Sequence, residues 1–457
     1  MTPRLSVRAF VLLSLFCFGV FVAVAQESLS FEEAVNLSQQ SPAVELARVQ
    51  VSSAQKQLAI ASSPVSGTLT GGYSSSAGAL TAPTLSEPER LDSSSFDPLR
   101  LSANFNLIPY GPRFDSVLQA RARLRQAELD LRDAQASSLI STVEAYFTAL
   151  RATQELELKQ LALSTAQSEL EANQSRFDAG AISASQLTQS QLALQQAQLD
   201  LASAQLASTG DLLTLSNLLG VPVEAVADTA ITLELKEDYD LETQVLARSD
   251  VQKAFLSLEQ TRRDAAATLR DNLPSGTVGL TYNHATDNQN LGLGASFSTS
   301  NFQPSLSASY DFDYSPPGAT PEDSSSDSFG FSIGLSIPLD ASLPDALALA
   351  DISVNQAQLN YEQTLDTARL RIHNAEQQVR SLEESLALSQ ELLEQARVTL
   401  ETTQKRFELG LVSQFDVLGA QQNLAEQELR FGQAQDSLVL ALLAYLQSLG
   451  LNPMEVF

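Results

Sequence analysis

The chain has 457 residues, one cysteine, no tryptophan and a formal net charge of −27. An acidic excess of that size argues against nucleic acid as a partner, and a lone cysteine gives no disulfide framework. Alanine, leucine, glutamine and serine dominate while proline and glycine cluster in a few places, which points to long helices separated by special segments.

Residues 1–25 form a targeting segment. Arg4 and Arg8 precede the apolar run AFVLLSLFCFGVFVAVA, which ends in the small-x-small pattern Ala23-Val24-Ala25. This pattern predicts a secretory signal peptide cleaved before Gln26, with an uncleaved anchor as the alternative. Cys17 follows bulky Phe16 inside the apolar run and is not a lipid-attachment site; the mature chain is then free of cysteine and two units more acidic. No later stretch has about 20 consecutive apolar residues, so no later helix is expected to cross a membrane.

Strict period-two alternation follows in short runs. VSGTLTGGY (65–73) and LRLSANFNL (99–107) in the first half, and SLSASYDFDY (305–314) and FGFSIGLSI (329–337) in the second, each carry one apolar and one small polar face. Alternation predicts strands, and runs of nine to ten residues suit strands of a membrane barrel. TVGLTYN (277–283) and LGLGASFS (291–298) are further strand-like runs that could pair as another hairpin. The linkers at 74–95 and 315–328 are long, polar and rich in Ser and Pro, like external loops of such barrels. Two strands per half make four per chain. Four cannot close a barrel, and an open edge cannot sit in lipid, so several chains must share one.

The stretches from Pro112 to Ala179 and from Leu343 to Leu409 contain no Gly, and no Pro beyond their first two residues. If helical throughout, each spans about 100 Å. They lead into the near-identical phrases RFDAGAIS (from Arg176) and RFELGLVS (from Arg406). Gly180 and Gly410 suit a left-handed helix end. Ser183 and Ser413 suit the N-caps of the outgoing helices, with Gln186 and Asp416 completing capping boxes, and Ile182/Leu187 and Val412/Val417 have hydrophobic-staple spacing. Each phrase is thus the tip of an antiparallel helical hairpin. The first outgoing helix carries two leucine rows, Leu187/Leu194/Leu201/Leu215 and Leu192/Leu199/Leu206/Leu213, about 140° apart. Two rows predict a stave packed between two neighbours; burial in a bundle core is the alternative.

Residues 176–220 align without a gap on 406–450, a constant offset of 230 positions. LIPYGPRFDS (107–116) corresponds to SIPLDASLPD (336–345), and SSPVSGTLTGGY (62–73) to NLPSGTVGLTY (272–282). The expected organisation is therefore a signal peptide (1–25) and two copies of one unit, 26–240 and 241–457.

With LSFEEAVNLSQQSP (29–42), the duplicated tips, Ile-Pro in each half and the closing LLAYLQSLG (442–450), the mature chain resembles the outer-membrane efflux protein family, the TolC-like channels. The resemblance implies a mainly α fold with a membrane β-barrel: a homotrimer whose chains each give four strands to a shared twelve-stranded barrel in outer-membrane lipid. The helices would form a long tunnel through the periplasm. A mixed α/β girdle would include 221–243 and the C-terminal tail. It implies a passive exit duct of a tripartite efflux or type I secretion system, with a periplasmic adaptor (membrane-fusion) protein and an inner-membrane pump or ABC exporter as partners. The adaptor would meet the tips, at Arg176, Phe177, Gly180, Ser183, Arg406, Phe407, Gly410 and Ser413. Two departures stand out: Ser41 where an Asn before Pro42 is usual, and Ser249 where the second half often has Pro.

No catalytic constellation or cofactor motif is evident, so neither enzyme nor cofactor is expected. His284 and His373, the only histidines, have no motif around them and are expected to be surface residues. A non-conducting envelope stalk built from the same coiled coils is the rival reading. Asp178, Glu408 and Asp416 lie near the tips and are candidates for a cation-favouring constriction, although Asp416 has a competing role as a cap. Acidic groups facing outward, serving solubility alone, are the alternative.

Overall fold

The computed structural model describes residues 28–71, 99–105, 108, 110–228, 240–286, 289–312 and 325–456. The expected signal peptide, the linker 74–95, the larger part of 315–328 and girdle residues 229–239 lie outside them.

The first half contains α1 (Phe31–Ser38), α2 (Pro42–Ala61), β1 (Val65–Thr70), β2 (Leu99–Phe105), α3 (Pro112–Asp178) and α4 (Ala184–Leu219). The second contains α5 (Leu241–Ala247), α6 (Ser249–Asp271), β3 (Ser275–Thr286), β4 (Gln289–Ser298), β5 (Gln303–Phe312), β6 (Ser325–Ser336), α7 (Leu343–Glu408) and α8 (Gln414–Ser448), with a 3₁₀ turn at Pro453–Val456. The two long staves, of 67 and 66 residues, are unbroken because their prolines sit in the first turn, where no intrahelical N–H is lost.

The helices form a wall one layer thick. Near the tips the order is α4–α3–α8–α7; near the sheet it is α2–α3–α6–α7. α3 and α7 run through both levels, and α4 and α7 do not touch. Such a layer has little interior, and burial concentrates midway along α3. There Leu139, Val143, Tyr146 and Phe147 meet Phe31 and Val35 of α1, Leu215 and Leu219 of α4, and Val439 and Leu443 of α8. Phe31 stands edge-on to Tyr146 at 5.5 Å and stacks on Phe147 at 6.0 Å. Each such side chain fully withdrawn from water contributes about 1.5–3 kcal/mol. The Tyr146 hydroxyl donates to the Leu29 carbonyl (3.2 Å) and the Ala227 carbonyl (2.6 Å), tying a parallel Leu29–Val226 bridge to the wall. Among the described residues this bridge, the start of α5 and the 3₁₀ turn are the structured parts of the expected girdle. Ser41, buried at the start of α2, shares a 2.7 Å hydrogen bond with Ser138 of α3.

The expectation of four strands is corrected. Among the described residues the sheet has six, all antiparallel, in the order β1–β2–β5–β4–β3–β6. The run 305–314 is not the partner of 329–337. β6 pairs with β3 along its full length, and residues 325–328, read as linker, belong to β6. Gly292 and Gly294 weaken the apolar signal of β4 and lower its intrinsic strand preference, while cross-strand pairing on both sides holds it.

Candidate functional site

Both tips close by the same backbone arrangement. Gly180 N–H donates to the Phe177 carbonyl and Ala181 N–H to that of Arg176, each at 2.8 Å; Gly410 and Leu411 repeat this with Phe407 (2.8 Å) and Arg406 (2.9 Å). This is the Schellman closure, and it places both glycines at φ 72°. A Cβ at either glycine would meet nothing within 4 Å, so the cost of a side chain there is backbone strain rather than collision. Ser183 caps α4 with Gln186 returning the bond (2.9 Å), and Ser413 caps α8 with Asp416 (2.7 Å).

The turn uses only the carbonyls of the Arg-Phe pairs. Their side chains are free for another role: Phe177 and Phe407 are 37% and 44% exposed, and Arg176 and Arg406 make no ion pair among the described residues. Of the proposed constriction residues, Asp416 is committed to its cap, and the Ser413 side-chain and backbone hydrogen bonds hold its carboxyl below the usual aspartate value. Asp178 accepts from Gln174 at 3.0 Å and remains exposed, as does Glu408.

The α3–α8 seam holds a buried ion pair that sequence alone did not reveal. Arg151 meets Asp436 through Nε (2.5 Å to Oδ2) and Nη2 (2.8 Å to Oδ1), with Gln154 bracing the guanidinium at 2.7 Å. Burial raises the Asp436 carboxyl despite the arginine, so this pair holds its charges against desolvation. Gly432 makes room for it, since a Cβ there would strike the Arg151 guanidinium. The two residues are 285 positions apart, on different helices. The available sequence signal was a departure from the repeat: at the offset of 230, Arg151 corresponds to Ser381 and Asp436 to Leu206.

The leucine rows of α4 part company. Leu187, Leu194 and Leu201 are half-buried and Leu215 buried, whereas Leu192, Leu199, Leu206 and Leu213 are 59–77% exposed along the free edge of the wall. α2 continues that edge with Leu46, Val49 and Ile60 exposed. The sheet has two unlike faces. Cross-strand rows such as Leu69–Leu101–Ala308–Leu293–Tyr282–Phe329 form an apolar face, and rows such as Thr68–Ser102–Ser307–Gly294–Thr281–Gly330 a face of hydroxyls and glycines. A shallow apolar depression around Leu280, Leu293, Leu306 and Phe331 belongs to the first face and converges no charged groups. His284 lies 2.7 Å from Asp327 and His373 4.0 Å from Glu376, both exposed.

The family described as outer membrane efflux protein matches residues 34–221 and 241–451, one segment in each half. The chain belongs to this family. It is an outer-membrane efflux channel of the TolC-like kind, and members of this family are channels rather than enzymes. Solved channels share the fold. The Campylobacter jejuni CmeC outer membrane channel is 19% identical with a TM-score of 0.65, over 92% of this chain and 85% of that one. CusC is 18% identical with a TM-score of 0.64, over 92% of each. VceC from Vibrio cholerae is 17% identical with a TM-score of 0.62, over 92% of this chain and 95% of that one. No curated protein matches the chain. An efflux channel accounts for the two-faced sheet, whose apolar side faces lipid and whose hydroxyl side faces water, as in other outer-membrane barrels.

Proposed function

We propose that three copies of the chain assemble into one continuous tube, open through the outer membrane and reaching into the periplasm. The tube is the passive exit duct of a tripartite efflux or type I secretion system. It docks through its tips onto a periplasmic adaptor and thereby onto an inner-membrane pump or ABC exporter. The observation carrying this reading is the open wall: a leucine row exposed along one edge of the helical layer, above which β1 and β6 end a sheet without closing it.

The internal repeat supports the assembly. Offset by 230, the exposed row corresponds to Gln422, Leu429, Asp436 and Leu443 of α8. In α8 that row faces α3, where Asp436 binds Arg151 and Leu443 is fully buried with Leu139 and Val143. If the units 26–240 and 241–457 pack alike, the α4 row faces α7 of the next copy, and the wall continues around a closed ring. The number three follows the family.

The tips then present six copies of an exposed Arg-Phe pair at the inner end, the surface offered to the adaptor. Asp178 and Glu408, with Asp416 held in its cap, line the narrowing there. Mass measurement of the detergent-purified protein tests the assembly, with three chains expected and a membrane-inserted monomer excluding it. Planar-bilayer recording tests the duct, and a trimer that carries no current would make it the non-conducting stalk instead.

A further inference from the structure

We infer that the six-stranded sheet is one third of an eighteen-stranded barrel, in which β4 and β5 are an integral part of the wall. This rests on the three-chain tube proposed above and departs from the twelve strands that four per chain would supply.

The first support is position. β4 and β5 lie inside the sheet, not at its rim: β2 pairs with β5 and β3 with β4, so the inserted hairpin is all that joins the strand leading into α3 to the strand leaving α6. Removing it in thought leaves β2 and β3 antiparallel neighbours, the four-strand arrangement.

The second is chemistry. In the β3–β6 pair, glycines stand opposite hydroxyls on the water-facing side: Gly279 opposite Ser332, Gly330 opposite Thr281 and Gly334 opposite Thr277. A Cβ on any of these glycines would collide with the hydroxyl. The inserted hairpin obeys the same rule, with Gly292 opposite Ser309 and Gly294 opposite Ser307. Its outer face, with Leu293, Ala295, Leu306 and Ala308, continues the apolar side of its neighbours. A surface loop would have no need to match both faces.

The third is width. Strands about 4.8 Å apart and tilted by about 40° give six strands an arc of about 38 Å. Four helices spaced about 8–10 Å apart, the wall beneath, cover about 32–40 Å. Four strands would cover only about 25 Å.

Closure also works. Six antiparallel strands leave β1 and β6 running in opposite directions, so β6 of one copy can pair with β1 of the next in the same alternation, and neither edge is left in lipid. The resulting backbone diameter is about 36 Å, against about 24 Å for twelve strands, a cross-section about twice as large. By register the water-facing rows are serine, threonine, asparagine, glutamine, glycine and alanine, with Arg100 and Asp311 the two charged residues among the described ones. The outlet is therefore wide and lined mainly by small polar residues.

The test is a strand count in the purified trimer by electron cryomicroscopy, expected to give eighteen. A threefold particle with twelve strands would overturn this inference and leave the trimeric duct standing; absence of a trimer would remove the reading on which it rests. A second measurement uses a clean excision, because residues 289–312 leave and re-enter the sheet at the same end. The excised trimer is expected to keep threefold symmetry with a barrel diameter reduced to about two-thirds. An unchanged diameter would place the hairpin outside the wall and sink the inference.

Discussion

The seam between α3 and α8 and the free edge of α4 derive from the same repeat, yet their chemistry differs. The seam carries Gln422, Leu429, Asp436 and Leu443, with Asp436 locked to Arg151; the edge carries Leu192, Leu199, Leu206 and Leu213. A buried ion pair tolerates no missing partner, since one unpaired charge costs several kcal/mol. Inside one chain the partner is always present. In the proposed assembly the partner across copies is absent until the copies meet, and non-directional burial of leucine suits a surface that must wait exposed. Ser381 and Leu206, where the repeat would place the arginine and aspartate, leave no charge stranded at the edge.

The largest effect should come from giving the edge the character of the seam. Leu206→Asp with Leu213→Asp sets an unpaired carboxylate pair into every interchain contact, at several kcal/mol per buried charge. Mass in detergent should fall from three chains to one. Persistence of the trimer would show that the α4 row does not face a neighbour.

Taking one partner from the seam comes next. Arg151→Met leaves Asp436 buried and unpaired and should lower stability by about 3 kcal/mol. Because burial already raises the Asp436 carboxyl, the loss should shrink in acid, where the protonated form needs no partner. Arg151→Met with Asp436→Leu should restore most of it in thermal unfolding. Additive losses would instead separate the two residues energetically.

The tips offer a milder contrast. Gly180→Val with Gly410→Val forces β-branched residues toward positive φ, at a cost of about 1–3 kcal/mol each. The trimer should survive, far from the altered residues, while export in cells falls. Unimpaired export would take the tips out of the docking surface. Asp178→Asn with Glu408→Gln should reduce a cation preference read as the reversal potential under a KCl gradient. No change would put these acids outside the conduction path.

The smallest effect distinguishes the two caps. Asp416 has a depressed pKa in the folded chain, so its contribution is complete above the unfolded value, near 3.8, and disappears as the pH falls through the folded one. The Gln186 cap has no such dependence. Amide protection at the start of α8 should be lost in acid while that at the start of α4 remains.

Much of this was legible in the sequence. The staves were bounded within one or two residues because Pro112 and Pro344 mark their starts and Gly180 and Gly410 their ends. The caps followed from Ser183 and Ser413 at fixed spacing from their partners. The strand count did not follow. LGLGAS has too little apolar mass to declare a strand unaided, and it is held by pairing with β3 on one side and β5 on the other, which no local pattern encodes. The Arg151–Asp436 pair was hidden for a similar reason, as each residue looks like an ordinary solvated charge on a helix.

Unbroken staves also restrict how this protein can change length over evolutionary time. α3 keeps contact with α2, α4, α6 and α8 along its course. Inserting one residue would turn everything beyond it by about 100° and tear those contacts out of phase. Seven residues restore the phase to within about 20° and add about 10 Å. A duct of this construction should therefore lengthen or shorten in heptad steps, matched in both helices of a hairpin and in both halves of the chain. The width of the periplasm it can serve is quantised rather than continuous.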